Sequence, residues 1–173
     1  MKNLIFINGT MGVGKTTTSK ILQKQLPKSV FLDGDWCWDM YPFIVTEETK
    51  KMVIDNITYV LNNFISCSEY ENIIFCWVMH EQSIIDDVLS RLVTRDCKVY
   101  KFSIICSEEA LIARIKEDIK HGIRREDVIE RSVPRLQCYY NMDTEKIDVS
   151  NISPNEAAEI IYKQVISYGG TTS

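Results

Sequence analysis

"GTMGVGKTT", residues 9–17, follows the apolar run of residues 4–7 and precedes Ile21, Leu22 and Leu26 at helical spacing. From Gly9 to Thr16 it fits G-x-x-x-x-G-K-[ST] without a mismatch. Glycines let successive backbone N–H groups converge on phosphate oxygens, and the start of the next helix adds the positive end of its dipole. Lys15 supplies a point charge for the β- and γ-phosphates, and the Thr16 hydroxyl a ligand for Mg²⁺. A chance glycine-rich turn lacks this placement between an apolar strand and a helix. Gly9, Met11, Gly12, Val13, Gly14, Lys15, Thr16 and Thr17 are therefore expected to hold a nucleoside triphosphate with its magnesium.

Outward from the loop, short apolar runs recur at residues 4–7, 30–32, 73–78, 99–105 and 147–149. They are mostly β-branched or aromatic and bounded by polar or turn residues, as strands buried on both faces are. Between them lie helical spacings: Val53, Ile57, Leu61 and Phe64; Ile84, Ile85, Val88 and Leu92; Leu111, Ile112, Ile115 and Ile119. Strand alternating with helix predicts right-handed crossovers and a parallel, doubly wound α/β sheet. Ser153-Pro154-Asn155-Glu156 reads as a capping box with proline at the first helical position, opening the last helix. No repeat or linker divides the chain, so residues 1–168 are expected to form one domain and residues 169–173 a short polar tail.

Composition narrows the function classes. The 173 residues are 45% apolar, enough for one ordinary core. A net charge of −4 argues against a dedicated nucleic-acid surface or a polybasic membrane patch, and favours a small-molecule partner. The N-terminal apolar run is far shorter than a membrane span or signal core. The six cysteines form no C-x-x-C pair and read as buried thiols of a reducing compartment, the cytosol.

The second strand ends in "FLDGDWCW", residues 31–38. In open α/β sheets, ligands bind outside the carboxyl ends of the strands, so Asp33 and Asp35, with a sharp turn at Gly34 between them, are placed for chemistry. One carboxylate would hold magnesium through water; the other would orient or deprotonate an acceptor hydroxyl. An Asp-Gly-Asp surface turn is the plainer reading, and the position at a phosphate-loop sheet edge favours function.

The loop at residue 9, the D-G-D after the second strand and the arginines before the last strand resemble the small P-loop kinases, the group of adenylate, shikimate and adenylylsulfate kinases. The resemblance covers essentially the whole chain. It implies a five-stranded parallel sheet in the order 2-3-1-4-5, Mg·ATP as donor, and a mobile helical lid at about residues 122–138. It implies metal binding by Thr16 and Asp33, and an acceptor contact by Asp35. By the same resemblance Arg114 of Leu111–Arg114 stacks on adenine, and the loop "VSNISP", residues 149–154, passes over the adenine edge. Arg124 or Arg125 becomes the lid arginine, and Arg135 reaches the acceptor or the γ-phosphate. Arg131 could equally form an i,i+4 helix pair with Asp127.

The third strand lacks a Walker B aspartate, which shifts magnesium work to Asp33. Trp77, Met79, His80 and Glu81 stand where shikimate kinases have a glycine run, which disfavours that acceptor. His80 either contacts an acceptor or caps the helix containing Ile84. Trp36, Trp38, Tyr41 and Phe43 suggest an aromatic wall for a base or ring, under a helix at residues 46–66, and Trp77 is a further candidate acceptor contact; aromatics in a run also pack ordinary cores.

The residues thus point to an ATP-dependent phosphotransferase acting on a small-molecule hydroxyl, as monomer or homodimer. A nucleoside or nucleoside monophosphate remains an alternative acceptor. Residues 36–110 hold only Arg91 and Arg95, both late in a helix, which tilts toward an uncharged alcohol. Readings of other kinds are a nucleotide-dependent switch acting through a partner, or a kinase of nucleic-acid ends. The base-reading N-K-x-D of GTPases is absent.

Overall fold

The computed structural model describes residues 1–167. The expected tail lies outside them. Five strands, β1 (Lys2–Asn8), β2 (Ser29–Asp33), β3 (Asn72–Trp77), β4 (Cys97–Ile105) and β5 (Glu145–Asp148), form one sheet in the order β2-β3-β1-β4-β5, as expected. Every neighbouring pair is parallel. The chain crosses between strands through α1 (Lys15–Gln25), α2 (Glu47–Ser66), α3 (Gln82–Ser90), α4 (Glu108–Lys120), and the short α5 (Asp127–Ser132) and α6 (Leu136–Tyr140). α7 (Pro154–Ser167) follows β5.

Strand alternation divides the core between the two faces of the sheet. Ile5 and Ile7 of β1 pack with Leu22 of α1, Leu111 and Ile115 of α4 and Ile161 of α7. Leu4 and Phe6 pack with Val53, Ile57 and Leu61 of α2 and Ile85 and Val88 of α3. Each β1 residue therefore faces a helix layer, which accounts for the uninterrupted apolar run.

The helix starts are set locally. Ser153 Oγ accepts from the Glu156 N–H at 3.3 Å while the Ser153 N–H donates to Glu156 Oε2 at 2.8 Å, the expected reciprocal box. α2 begins with the same device built from two threonines, Thr46 and Thr49. α4 ends where the Ile123 N–H reaches the Asp118 carbonyl and the Gly122 N–H the Ile119 carbonyl, a left-handed stop at Gly122.

The cysteine expectation needs correcting. Cys76 and Cys106 are buried, but Cys138 is exposed and Cys37, Cys67 and Cys97 are half-buried; all six are free thiols. Cys138 sits on the outer face of the short α6, a break in periodicity that only the tertiary fold sets.

The carboxyl end of β1 is fixed by a buried polar cluster. Asn8 donates to the Met79 carbonyl at 3.2 Å, and its Oδ1 accepts from Ser103, whose hydroxyl also meets Thr144. One amide thus ties the residues just before the loop to β4 and to the segment after β3. Asn8→Ala strands these groups in the core and should cost about 1–3 kcal/mol. A lower urea midpoint at unchanged m-value is the expected result; a midpoint equal to the parent's would remove the cluster from the stability account.

Candidate functional site

The loop between β1 and α1 lies hard against its neighbours. Gly12 adopts φ +84°, and a Cβ built there would stand 2.6 Å from Ile115 Cγ1 on α4. Only glycine meets both demands, the left-handed backbone and the absence of a side chain. Thr10 secures the other flank by donating to the Ser132 carbonyl of α5 at 2.9 Å. Inside this arch Lys15 is buried, its ammonium 3.4 Å from the Thr10 carbonyl. Thr17 is exposed, and Met11 packs partly against the core.

β2 delivers its carboxylates beside the loop. Thr16 donates to Asp33 Oδ2 at 3.1 Å, and the Asp35 N–H donates to Asp33 Oδ1 at 3.1 Å. Asp33 thus joins the loop to the 3₁₀ turn Gly34–Trp38 that it caps. Gly34 allows that turn to form, since a Cβ there would fall 2.4 Å from Trp77 Cγ. Asp35 is exposed as a residue, yet its carboxyl group is crowded. Burial raises its pKa above the ordinary aspartate value, with the Asp33 charge adding to this; Lys15, a hydrogen bond from Trp77 and the Arg124 charge pull the other way. We give the crowding of the group more weight than the exposure of the residue.

The arginines separate by role. Arg114 on α4 donates to the Val13 carbonyl at 3.4 Å and to the Val149 carbonyl, flooring a cleft lined by Val13, Gly14, Thr18, Ile152 and Pro154. The loop at residues 149–154 forms the far wall of that cleft. Arg124 is held 2.7 Å from Asp118 and its charge is felt at Asp35, whereas Arg125 is exposed and makes no ion pair among the described residues. Arg135 is half-buried, and its charge reaches His80 and Tyr139. Arg131 pairs with Asp127 at 2.9 Å along α5, which assigns it to the helix surface.

A second cavity, of about 460 Å³, opens beyond Asp35 between the 3₁₀ turn, α2, β3 and α3. Trp38, Ile54, Trp77, Val78 and Ile84 give it apolar walls; Lys50, His80, Ser83 and Asp87 complete it. His80 does not cap α3, whose N-cap Glu81 makes no side-chain cap hydrogen bond. Its Nδ1 is buried without a hydrogen-bond partner. Burial, and then the Arg135 charge, depress its pKa below the ordinary imidazole value. Trp36 departs from the expected wall: it is 58% exposed and packs edge-on against Phe31, 5.5 Å between ring centres. The reason is geometric. Residues two apart share a face in a strand, but at three residues per turn they diverge by about 120°.

Residues 5–135, most of the chain, match the family described as "AAA domain". The chain belongs to the AAA domain family. A shikimate kinase of Bacillus cytotoxicus is 26% identical over 172 residues, covering 94% of this chain and 98% of the relative. Among solved structures, a tunicamycin resistance protein of Deinococcus radiodurans superposes with TM-score 0.64 at 21% identity, covering 95% of this chain and 96% of that one. A sugar kinase of Janibacter superposes with TM-score 0.72 at 13% identity, covering 96% and 95%. The fold is the one shared with these solved structures.

Within this AAA domain chain, sequence reasoning missed several positions that shape the site. Thr10 lies inside the loop motif at a position the motif leaves open, and Cys76 stands 3.9 Å from Thr16 where a Walker B residue was sought. Lys50 and Ile54 reach the cavity from α2, to which the expectation of a covering helix at 46–66 pointed, whereas Ser83 and Ile84 reach it from α3, which no expectation placed there.

No group of three or more His, Cys, Asp or Glu side chains among the described residues is arranged to hold a metal. The Thr16 and Asp33 oxygens, 3.1 Å apart, are the pair that fits a hard cation keeping its remaining ligands from water and phosphate.

The raised Asp35 pKa carries a sign. Stability from the protonated carboxyl is present below the unfolded value and lost as pH rises through the folded one. Without nucleotide, Asp35→Asn should therefore melt above the parent near neutral pH, and the gap should close on approaching roughly pH 4. Scanning calorimetry across that range decides it; a pH-independent gap would show that Asp35 is not perturbed.

Proposed function

We propose that the protein is an ATP-dependent phosphotransferase that moves the γ-phosphoryl group of Mg·ATP to a hydroxyl of a small molecule. The observation that carries this reading is that Asp35 interacts both with Lys15 of the arch and with Trp77, which lines the aromatic cavity. The loop residues and Arg114 hold the nucleotide, its adenine toward the Arg114 cleft. Thr16 and Asp33 hold the magnesium, which supplies charge neutralisation on the phosphate oxygens.

Asp35 accepts the acceptor's hydroxyl proton as its oxygen bonds to the γ-phosphorus, and the bond to the bridging oxygen breaks toward ADP. A carboxyl whose pKa is raised is better matched to that task than an ordinary one. Lys15 and the arginines meet the charge spread over the transferring group. Residues 122–138 form the lid: the Gly122 stop hinges it, and Arg125, free of ion pairs among the described residues, swings in with Arg124. Arg135 lies between the phosphoryl group and His80. Six free thiols suit a reducing compartment, which we take to be the cytosol.

The similar shikimate and sugar kinases support transfer to an alcohol without naming this chain's acceptor. An ADP-release screen with Mg·ATP over nucleosides, sugars and ring-bearing alcohols tests the reaction. Lys15→Ala should abolish acceptor-dependent release. Asp35→Asn should lower kcat by about 10²–10⁴ while nucleotide affinity stays within a few-fold. Parent-level turnover by Asp35→Asn would end the proton-acceptor role, and hydrolysis indifferent to every acceptor would point to a nucleotide switch.

A further inference from the structure

The walls of the acceptor cavity limit what can occupy it. Buried carboxylates and phosphates are normally met by cations, preferably arginine. The cavity offers one, Lys50, and its ammonium already lies 2.8 Å from Glu47 on a side chain that is 54% exposed. Arg91, at the end of α3, is committed to Asp55 and Asp87 at 2.7 and 2.9 Å, which also neutralises the cavity's one acid. His80 is neutral near physiological pH, its pKa lowered by burial and by Arg135. The walls therefore carry no uncompensated charge.

They also carry few hydrogen-bonding groups. The Ser83 hydroxyl is 3.3 Å from Glu81, and His80, with Nδ1 shut away and its side chain 32% exposed, offers a ligand its Nε2. A polyol needs a partner for nearly every hydroxyl it brings out of water, and these walls cannot supply them. What they do supply is the indole surface of Trp38 and Trp77 beside Ile54, Val78 and Ile84. The apolar character continues outside: Phe43 packs on Trp38 at 5.7 Å between ring centres, and Tyr41, Phe43, Ile44 and Val45 are all exposed. An apolar strip of this kind, continuous with a cavity wall, marks a binding surface.

We propose that the acceptor is an uncharged alcohol bearing a flat apolar ring, seated between Trp38, Trp77 and Ile84 with one polar group on His80. The proposal deepens the phosphotransferase reading and rests on it for the fate of the hydroxyl. Occupancy of the cavity is independent of turnover, which keeps the two separable.

The test uses the full chain, with 1-phenyl-1,2-ethanediol and 2-phenylethanol as ring-bearing neutral probes, and gluconate, shikimate and uridine monophosphate as anionic ones. Calorimetric titration without nucleotide reads binding, and ADP release with Mg·ATP reads turnover. The neutral probes should bind and the anionic ones should not. Trp38→Ala should weaken binding by about tenfold or more, and Ile84→Arg should abolish it, with Mg·ATP affinity within twofold of the parent as proof of folding. His80→Gln should retain most of the affinity that His80→Leu loses. Anionic probes binding better than neutral ones, with Arg135→Ala removing that binding, would overturn the proposal. So would the absence of any binding by the neutral probes up to about 10 mM. Neutral probes that bind at Trp38 and Ile84 but never elicit ADP release would uphold the cavity assignment and overturn the phosphotransferase reading instead.

Discussion

The contact on which the rest of the site depends is that between the backbone of the phosphate loop and Ile115 on α4. At Gly12 the loop comes so close that a side chain would meet Ile115 Cγ1 at 2.6 Å. Because the helix is pressed there, Arg114 one residue earlier comes under the Val13 and Val149 carbonyls, and the nucleotide cleft acquires its floor. The same helix then runs to the stop at Gly122, beyond which Arg124 returns toward Asp35. The Arg114 cleft, the arch around Lys15 and the turn at Gly122 are thus set by one close approach, which glycine permits and the packing of Leu111 and Ile115 into the core enforces.

The second organising feature is the sharing of Asp33. Its two oxygens take hydrogen bonds from Thr16 and from the Asp35 backbone, so its position is set from both sides of the crevice. That anchoring places a second carboxylate next to a first, which is electrostatically unfavourable for Asp35 in the empty protein. Local instability of this kind is what a proton acceptor beside a phosphoryl group requires, and Lys15, Trp77 and Arg124 contain it without cancelling it. Stability and reactivity are set against each other at a single side chain.

Features encoded locally were legible in the sequence. The loop motif, the apolar runs and the Ser153–Glu156 box each depend on residues within a turn or two, and the sheet order followed from family resemblance applied to that pattern. What escaped was set by geometry between distant segments. Trp36 and Trp38 look like one wall when read as strand continuation, but the 3₁₀ turn sends one to Phe31 and the other to the cavity. Lys50, Ile54 and Ile84 carry ordinary helix periodicity, and only the placement of α2 and α3 over the end of β3 makes them cavity walls. Cys138 faces outward because the short α6 turns Leu136 and Tyr139 inward.

The site that results is electrically asymmetric. On the proposed reading Lys15, Arg114, Arg124, Arg125 and Arg135 serve the nucleotide half, while around the cavity Lys50 and Asp87 are each balanced by a neighbour and the His80 pKa is lowered. Concentrating the cations on one side matches them to a donor carrying several negative charges, and leaves the other side free to select by shape and apolar area. Asp35 sits where the two halves meet, so its proton affinity is tuned by charges of the donor half while its hydrogen bond from Trp77 reaches into the wall of the acceptor half. Changing the cavity walls is thus expected to alter which alcohol is admitted without disturbing the electrostatics that act on the phosphoryl group, a division of labour that lets one fold serve many acceptors.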